Sequence, residues 1–133
     1  MYPDDVLYTE SHQWARVEGN IATIGITHYA QDQLGDLVYV ELPQVGDEVT
    51  AGEPLGSVES VKAVADVNAP VSGRVIAINE ALEETPEQIN QDCYGDGWMV
   101  KAEMSDPSQV QSLLGATDYV KLVEELGAKG AAE

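Results

Sequence analysis

Every run of β-branched residues in this chain is short, and each is stopped by glycine, proline or a polar turn. Gln13–Glu18 and Ile21–Ile26 alternate apolar with polar or small residues and face each other across Gly19-Asn20, which predicts an antiparallel hairpin. Leu37–Leu42 is a third strand ended by Pro43, and Asp47–Val49, Leu55–Ser60, Val64–Val67 and Arg74–Ile78 follow, divided by Gly52, Pro54, Pro70 and Gly73. Trp98–Ala102 reads as the closing strand. Short strands at close, regular intervals, punctuated by Gly and Pro, predict a small sandwich or barrel. The core supply agrees. Hydrophobic residues make up 44% of the chain but aromatics only 6%, with no Phe, so Val, Ile, Leu and Ala must fill a thin sandwich.

Helices are predicted at a few places. Thr27 caps a short one over 28–34, ended by Gly35. A second opens at Thr85-Pro86 in an otherwise acidic, irregular stretch. Beyond the strands, Asp106-Pro107 opens a helix with Val110, Leu113 and Leu114 on one face. Thr117 caps another, bearing Tyr119, Leu122, Val123 and Leu126 and closed by Gly127. This pair is expected to pack outside the sandwich as cover, with the tail from Ala128 frayed. At 133 residues the chain is expected to be one domain, 1–133, with its core over about 8–104 and the C-terminal helices over about 107–126.

The segment Gly56–Asp66 stands out within this frame. It reads as strand, tight turn, strand, with Lys62 at the tip and no Asn-Gly or Asp-Gly pair to form the turn. Only four lysines and two arginines occur in the chain, and between Arg16 and Arg74 Lys62 is the sole cation, flanked by Glu59 and Asp66. Two readings of the residues stand side by side. Lys62 is a solubilising residue on an exposed turn, or it is an attachment point presented to a modifying enzyme.

Composition limits the partners. Net charge is −18, from 24 acidic and 6 basic side chains, a surface that repels phosphate backbones and anionic lipid. No nucleic acid or membrane partner is expected, and a protein partner is expected to offer a basic docking rim. The N-terminus has neither a basic nor an apolar targeting region, and no apolar run approaches membrane-spanning length, so a soluble, cytoplasmic chain is expected. Cys93 is the only cysteine, which excludes an internal disulfide, and its acidic neighbours raise a thiol pKa. His12 and His28 are the only histidines, and there is no nucleophile elbow, phosphate-binding glycine loop or metal-ligand spacing. The residues give no catalytic centre, so no enzyme activity and no metal are expected.

Six segments in order carry a resemblance. They are Tyr8-Thr9-x-x-His12-x-Trp14, Gly25-Ile26-Thr27-x-x-Ala30-Gln31-x-x-Leu34-Gly35-Asp36, Val38-x-Val40-Glu41-Leu42-Pro43, Glu59-Ser60-Val61-Lys62-Ala63, Ala69–Gly73 and Tyr94-x-x-Gly97-Trp98. Together they resemble the H protein family of the glycine cleavage system, from about Tyr8 to Leu126. Biotin carriers usually place methionine beside the lysine, and the lipoyl domains of acyltransferases usually carry Asp-Lys-Ala. Glu-Ser-Val-Lys-Ala differs from both.

The resemblance implies a mainly β, lipoyl/biotinyl-type sandwich (a barrel-sandwich hybrid) with lipoate attached covalently to Lys62. It implies a shuttle that takes an aminomethyl group from a pyridoxal-phosphate glycine decarboxylase to a tetrahydrofolate-dependent aminomethyltransferase. Electrons then pass to dihydrolipoyl dehydrogenase, and a lipoate-attaching enzyme is a further partner of a monomeric carrier. The same resemblance assigns Glu59 to recognition by the attaching enzyme, and Ser11, His12, Gln13 and Asp66 to a cleft for the loaded arm. Family members usually have Glu where this chain has Gln13, so Asp66 is expected to carry most of the attraction for a protonated cargo, with leakier shielding. Cys93 stands where proline is commoner, which implies a more mobile loop there. The alternatives are a lipoyl relay serving other 2-oxoacid dehydrogenase complexes, and a non-lipoylated acidic binding module of the same fold.

Overall fold

The computed structural model describes residues 2–132, with side chains from Tyr2 to Leu126. Among the described residues nine strands form two antiparallel sheets. The strands are β1 (Leu7–Tyr8), β2 (Gln13–Glu18), β3 (Ile21–Ile26), β4 (Leu37–Glu41), β5 (Glu48–Val49), β6 (Pro54–Ser60), β7 (Val64–Asn68), β8 (Gly73–Ile78) and β9 (Val100–Met104). The larger sheet has the order β1-β2-β3-β9-β8-β5, and the smaller β4-β6-β7. Among the helices, α1 spans His28–Leu34, α2 Ala81–Glu84, α3 Gln88–Gln91 and α4 Ala116–Ala132.

The apolar alternation works as pattern physics requires. Val40 on β4 pairs with Val58 on β6, which pairs with Ala65 on β7, and these side chains turn inward. From the larger sheet Ala22, Ile24, Val75, Val100 and Ala102 meet them, all with no exposure. Small aliphatic side chains keep the two layers close, as the absence of Phe anticipates. Trp14 pairs with Gly25 across β2 and β3, and its indole lies over the glycine at 2.8 Å from where a Cβ would stand. That position has room only for hydrogen.

A second cluster is separate. Val6, Tyr8, Trp14 and Tyr119 pack on the far side of the β1-β2 edge under α4. Tyr8 and Tyr119 stack with ring centroids 4.6 Å apart, and Tyr2 meets Tyr119 edge-on at 5.5 Å. The last helix packs outside the main core, as expected, and is anchored there by a fully buried tyrosine.

The structure differs from expectation at several elements. The segment after Asp106 is a 3-10 helix, Pro107–Ser112, not an α-helix. Asp106 caps it through Ser108 N (3.2 Å), but six residues cannot sustain a stable α-helix without deeper burial. Helix α4 begins at Ala116, one residue before the expected cap Thr117, because Gly115 O already accepts from Tyr119 N (3.0 Å). It also runs through Gly127 to Ala132. Glycine costs an α-helix interior only about 1 kcal/mol, and the following alanines favour continuation. In place of one helix at Thr85-Pro86, α2 and α3 flank that dipeptide, each burying one apolar residue, Leu82 and Ile89. The closing strand is shifted two residues, because the β3–β9 ladder opens at Ile24↔Val100. The two-residue β1 goes unread in the sequence, since its identity rests on pairing Leu7 and Tyr8 with Ala15 and Trp14. Among the described residues no helix is long and apolar enough to cross a membrane.

Candidate functional site

The β6–β7 hairpin carries Lys62 at its tip, between the last ladder pair, Glu59↔Val64. Ser60 explains how this turn forms without Asn-Gly. Its backbone N–H donates to Ala63 O (2.8 Å), while its hydroxyl oxygen accepts from Ala63 N (3.1 Å) and Lys62 N (3.3 Å). A serine hydroxyl thus satisfies two turn amides, leaving Val61 and Lys62 free to point outward. Val61 is 86% exposed and Lys62 is also exposed. The lysine stem reaches back toward the end of α1, where a Cβ on Gly35 would stand 3.7 Å from Lys62 Cε.

Helix α1 forms one wall of a cleft of about 340 Å³. Tyr29, Ala30, Gln33 and Leu34 line it from the helix, at the i, i+4 spacing that puts them on one face. Ser11, His12 and Gln13 form the opposite lip, and Ile26, Val58, Ala65, Asp66 and Val67 complete the lining. The structure therefore brings together all four residues expected in the cleft: Ser11, His12, Gln13 and Asp66. It places Lys62 and Glu59 outside that lining, at and beside the hairpin tip.

The lip residues differ in what they offer. Gln13 is 2% exposed, and its amide is consumed by its own turn. Oε1 accepts from the hydroxyls of Thr9 (2.7 Å) and Ser11, and Nε2 donates to Ser11 O (2.9 Å). Two donors fill both lone pairs of that oxygen, and the carbonyl opposite Nε2 fixes the amide's orientation. Asp66 is exposed and is the only carboxylate in the lining. Among the described residues the one ion pair joins Arg16 to Asp5, so Asp66 is not neutralised by a bridge.

His12 has φ of 76°, the only positive value among the described non-glycine residues. Such a conformation costs on the order of 1–3 kcal/mol and survives where surroundings enforce it. Here the ring stacks on Tyr29 (4.6 Å, 14°), and Nδ1 is hydrogen-bonded to the Tyr119 hydroxyl (2.7 Å). That hydroxyl is also 2.7 Å from Thr27 Oγ1, which accepts from Ala30 N as the cap of α1. Burial lowers the His12 pKa below 6.5, which favours the neutral ring. The arrangement that satisfies every donor then has Thr27 donating to Tyr119 and Tyr119 donating to Nδ1.

The loop after α3 is better tied than its Cys93 implies. Cys93 O accepts from Trp14 Nε1 (3.0 Å), Tyr94 O accepts from Arg16 Nη1 (3.0 Å), and the Tyr94 hydroxyl accepts from His28 N (2.9 Å). The thiol is pushed up to about 12, chiefly by burial, with Asp92 a lesser contributor. Acidic neighbours alone therefore understate the cause. Among the described residues no group of His, Cys, Asp and Glu is arranged to hold a metal ion.

Similarity to known proteins follows the same segments. The glycine cleavage H-protein family model matches residues 6–126. The chain belongs to that family. Glycine cleavage system H proteins of Carboxydothermus hydrogenoformans and Rubrobacter xylanophilus are 52% and 51% identical to it, over 94% and 92% of this chain and 96% and 95% of theirs. A crystal structure of a glycine cleavage system H protein from Mycobacterium marinum superposes with a TM-score of 0.83 at 40% identity, covering 90% of this chain and 96% of that one. Family membership supports a carrier role in glycine cleavage. Contributors to the cleft that the sequence reading gave no role there include Tyr29 and Gln33 on α1, Thr27 beneath them, and Tyr119 on α4. The helical spacing of Tyr29 and Gln33 is a usable signal; nothing local marks Tyr119.

Proposed function

We propose that this chain is the lipoyl-bearing shuttle of glycine cleavage, with Lys62 as its attachment residue. The observation that carries the reading is the presentation of Lys62, exposed at the tip of a braced hairpin, in a chain of this family. An enzyme must reach the ε-amine itself, and the two strands behind Ser60 hold its base steady. Glu59 lies in the last ladder pair before the tip, within the footprint of an enzyme acting there. When bound, a lipoyl group supplies a dithiolane that can carry an aminomethyl unit and then electrons, chemistry the polypeptide lacks.

The cleft suits such an arm. Ile26, Ala30, Leu34, Val58, Ala65 and Val67 offer an apolar floor to a methylene chain, and Asp66 offers a carboxylate to a protonated amine. Ser11 and His12 shape the lip, and Gln13 acts by holding that turn closed, since its amide has no free acceptor. Asp66 thus carries the electrostatic part alone. The successive partners are the pyridoxal-phosphate glycine decarboxylase, the aminomethyltransferase, dihydrolipoyl dehydrogenase and the lipoate-attaching enzyme.

Intact-mass measurement after expression with a lipoate-attaching enzyme tests the assignment. The chain is expected to gain the mass of one lipoyl group, and Lys62→Ala to abolish the gain. An unmodified mass, or a modification that survives Lys62→Ala, would overturn it and leave a binding module of the same fold.

A further inference from the structure

The two walls of the cleft extend from the two ends of the β2–β3 hairpin. One is the tight turn Ser11–Gln13 before β2, and the other is α1. The ladder pair Gln13↔Ile26 and the bond from Thr27 N to His12 O (3.1 Å) fix their base, and the side chains above it need restraints of their own. The turn is also held at a left-handed histidine, a geometry that relaxes once its restraints are removed.

We infer that Tyr119, from the last helix, is the positioning residue that sets the spacing of these walls. Its hydroxyl lies 2.7 Å from His12 Nδ1 on one wall and 2.7 Å from Thr27 Oγ1, the cap of the other. Thr27 in turn fixes the first turn of α1 through Ala30 N, and Ala30 itself lines the cleft. His12 stacks on Tyr29 of α1, so a rotation of the histidine moves the opposite lip as well. The phenol oxygen is thus a single buried atom bonded to both sides.

Its own placement is secured independently of the cleft. Tyr119 is fully buried, stacked on Tyr8 and met edge-on by Tyr2. The bridge is asymmetric in a useful way. Removing the hydroxyl leaves the aromatic packing of α4 in place but leaves Nδ1 of His12 and the Thr27 hydroxyl each short of a partner. The C-terminal helix therefore supports the site from behind, although none of its described side chains lines the cleft.

The inference rests on the cleft being the resting place of the loaded arm, and its test separates the two ideas. Tyr119→Phe keeps the ring and deletes the bridge, while Ala30→Leu fills the cleft from the α1 wall. In the unlipoylated protein, two-dimensional NMR should show loss of the His12–Tyr29 ring contact in Tyr119→Phe, with α4 amides still protected from exchange. In the lipoylated, aminomethyl-loaded protein, spontaneous release of the amine should be several-fold faster in Tyr119→Phe, while the rate of Lys62 lipoylation stays at the wild-type value. Tyr119→Leu, which also unseats the ring, provides the comparison: an effect seen only there would make Tyr119 a packing residue and overturn the bridge. An unchanged His12–Tyr29 contact in Tyr119→Phe would do the same. If Ala30→Leu leaves release unchanged, the cleft is not where the arm rests, and the inference falls with that reading. If Ala30→Leu accelerates release and Tyr119→Phe does not, only the inference falls.

Discussion

At the scale of single residues, His12 combines a left-handed backbone with a half-buried ring of lowered pKa, and both follow from where it is pinned. The ring is stacked on Tyr29 and bonded to Tyr119, and desolvation lowers its pKa below the 6.5 of a free side chain. The sign of the pH effect follows. Between the folded and unfolded pKa values the unfolded chain binds more protons, so stability contributed by this group is complete above 6.5 and declines as pH falls through that window. Urea unfolding of the wild type is therefore expected to weaken as pH is lowered from 6.5. His12→Asn, which tolerates left-handed backbone without a titrating ring, should flatten that decline until carboxylates begin to titrate. A slope equal in both proteins would assign the loss to another group.

At the scale of the element, the Lys62 hairpin owes its form to Ser60 rather than to turn-forming residues. The hydroxyl of a residue only 5% exposed takes two amides that otherwise would need a special backbone geometry. Ser60→Ala is expected to cost about 0.5–1.5 kcal/mol, the net worth of such a bond. Hydrogen exchange gives the sharper measurement. The amides of Lys62 and Ala63 should exchange faster in the variant while those of Val58 and Val67, deeper in the ladder, stay protected. Exchange unchanged at the tip would mean the turn is held by the strands alone. Helix α1 shows the complementary case. Thr27 and Gly35 bound it as expected, with Gly35 N donating back to Gln31 O (3.0 Å), because capping is a local competition for backbone groups.

At the scale of the whole molecule, a net charge of −18 on 133 residues makes long-range repulsion between copies, and attraction to basic surfaces, the dominant field. Docking of the lipoylated chain to the aminomethyltransferase is expected to weaken steadily as salt is raised, since screening shortens that field to about 10 Å at 0.1 M. Titration calorimetry over a salt series would measure it. An affinity indifferent to salt would mean that apolar contact near the hairpin dominates instead; Val61 and Val64 are exposed there.

What the sequence determined by itself was part of what depends on neighbours along the chain. Gln13–Glu18, Ile21–Ile26 and 28–34 stand as elements within the bounds read from alternation, turns and caps, and the Gly19-Asn20 hairpin joins the first two. The sequence also put Lys62 at a tip, and the family resemblance assigned Ser11, His12, Gln13 and Asp66 to one cleft, which all four line. Tertiary structure alone decided the rest. It made a 3-10 helix of Pro107–Ser112 and brought Tyr119 across 107 residues to His12. Those outcomes depend on which groups meet when two sheets and a helix pack. Hydrogen bonding between distant side chains leaves no periodicity for a linear pattern to carry.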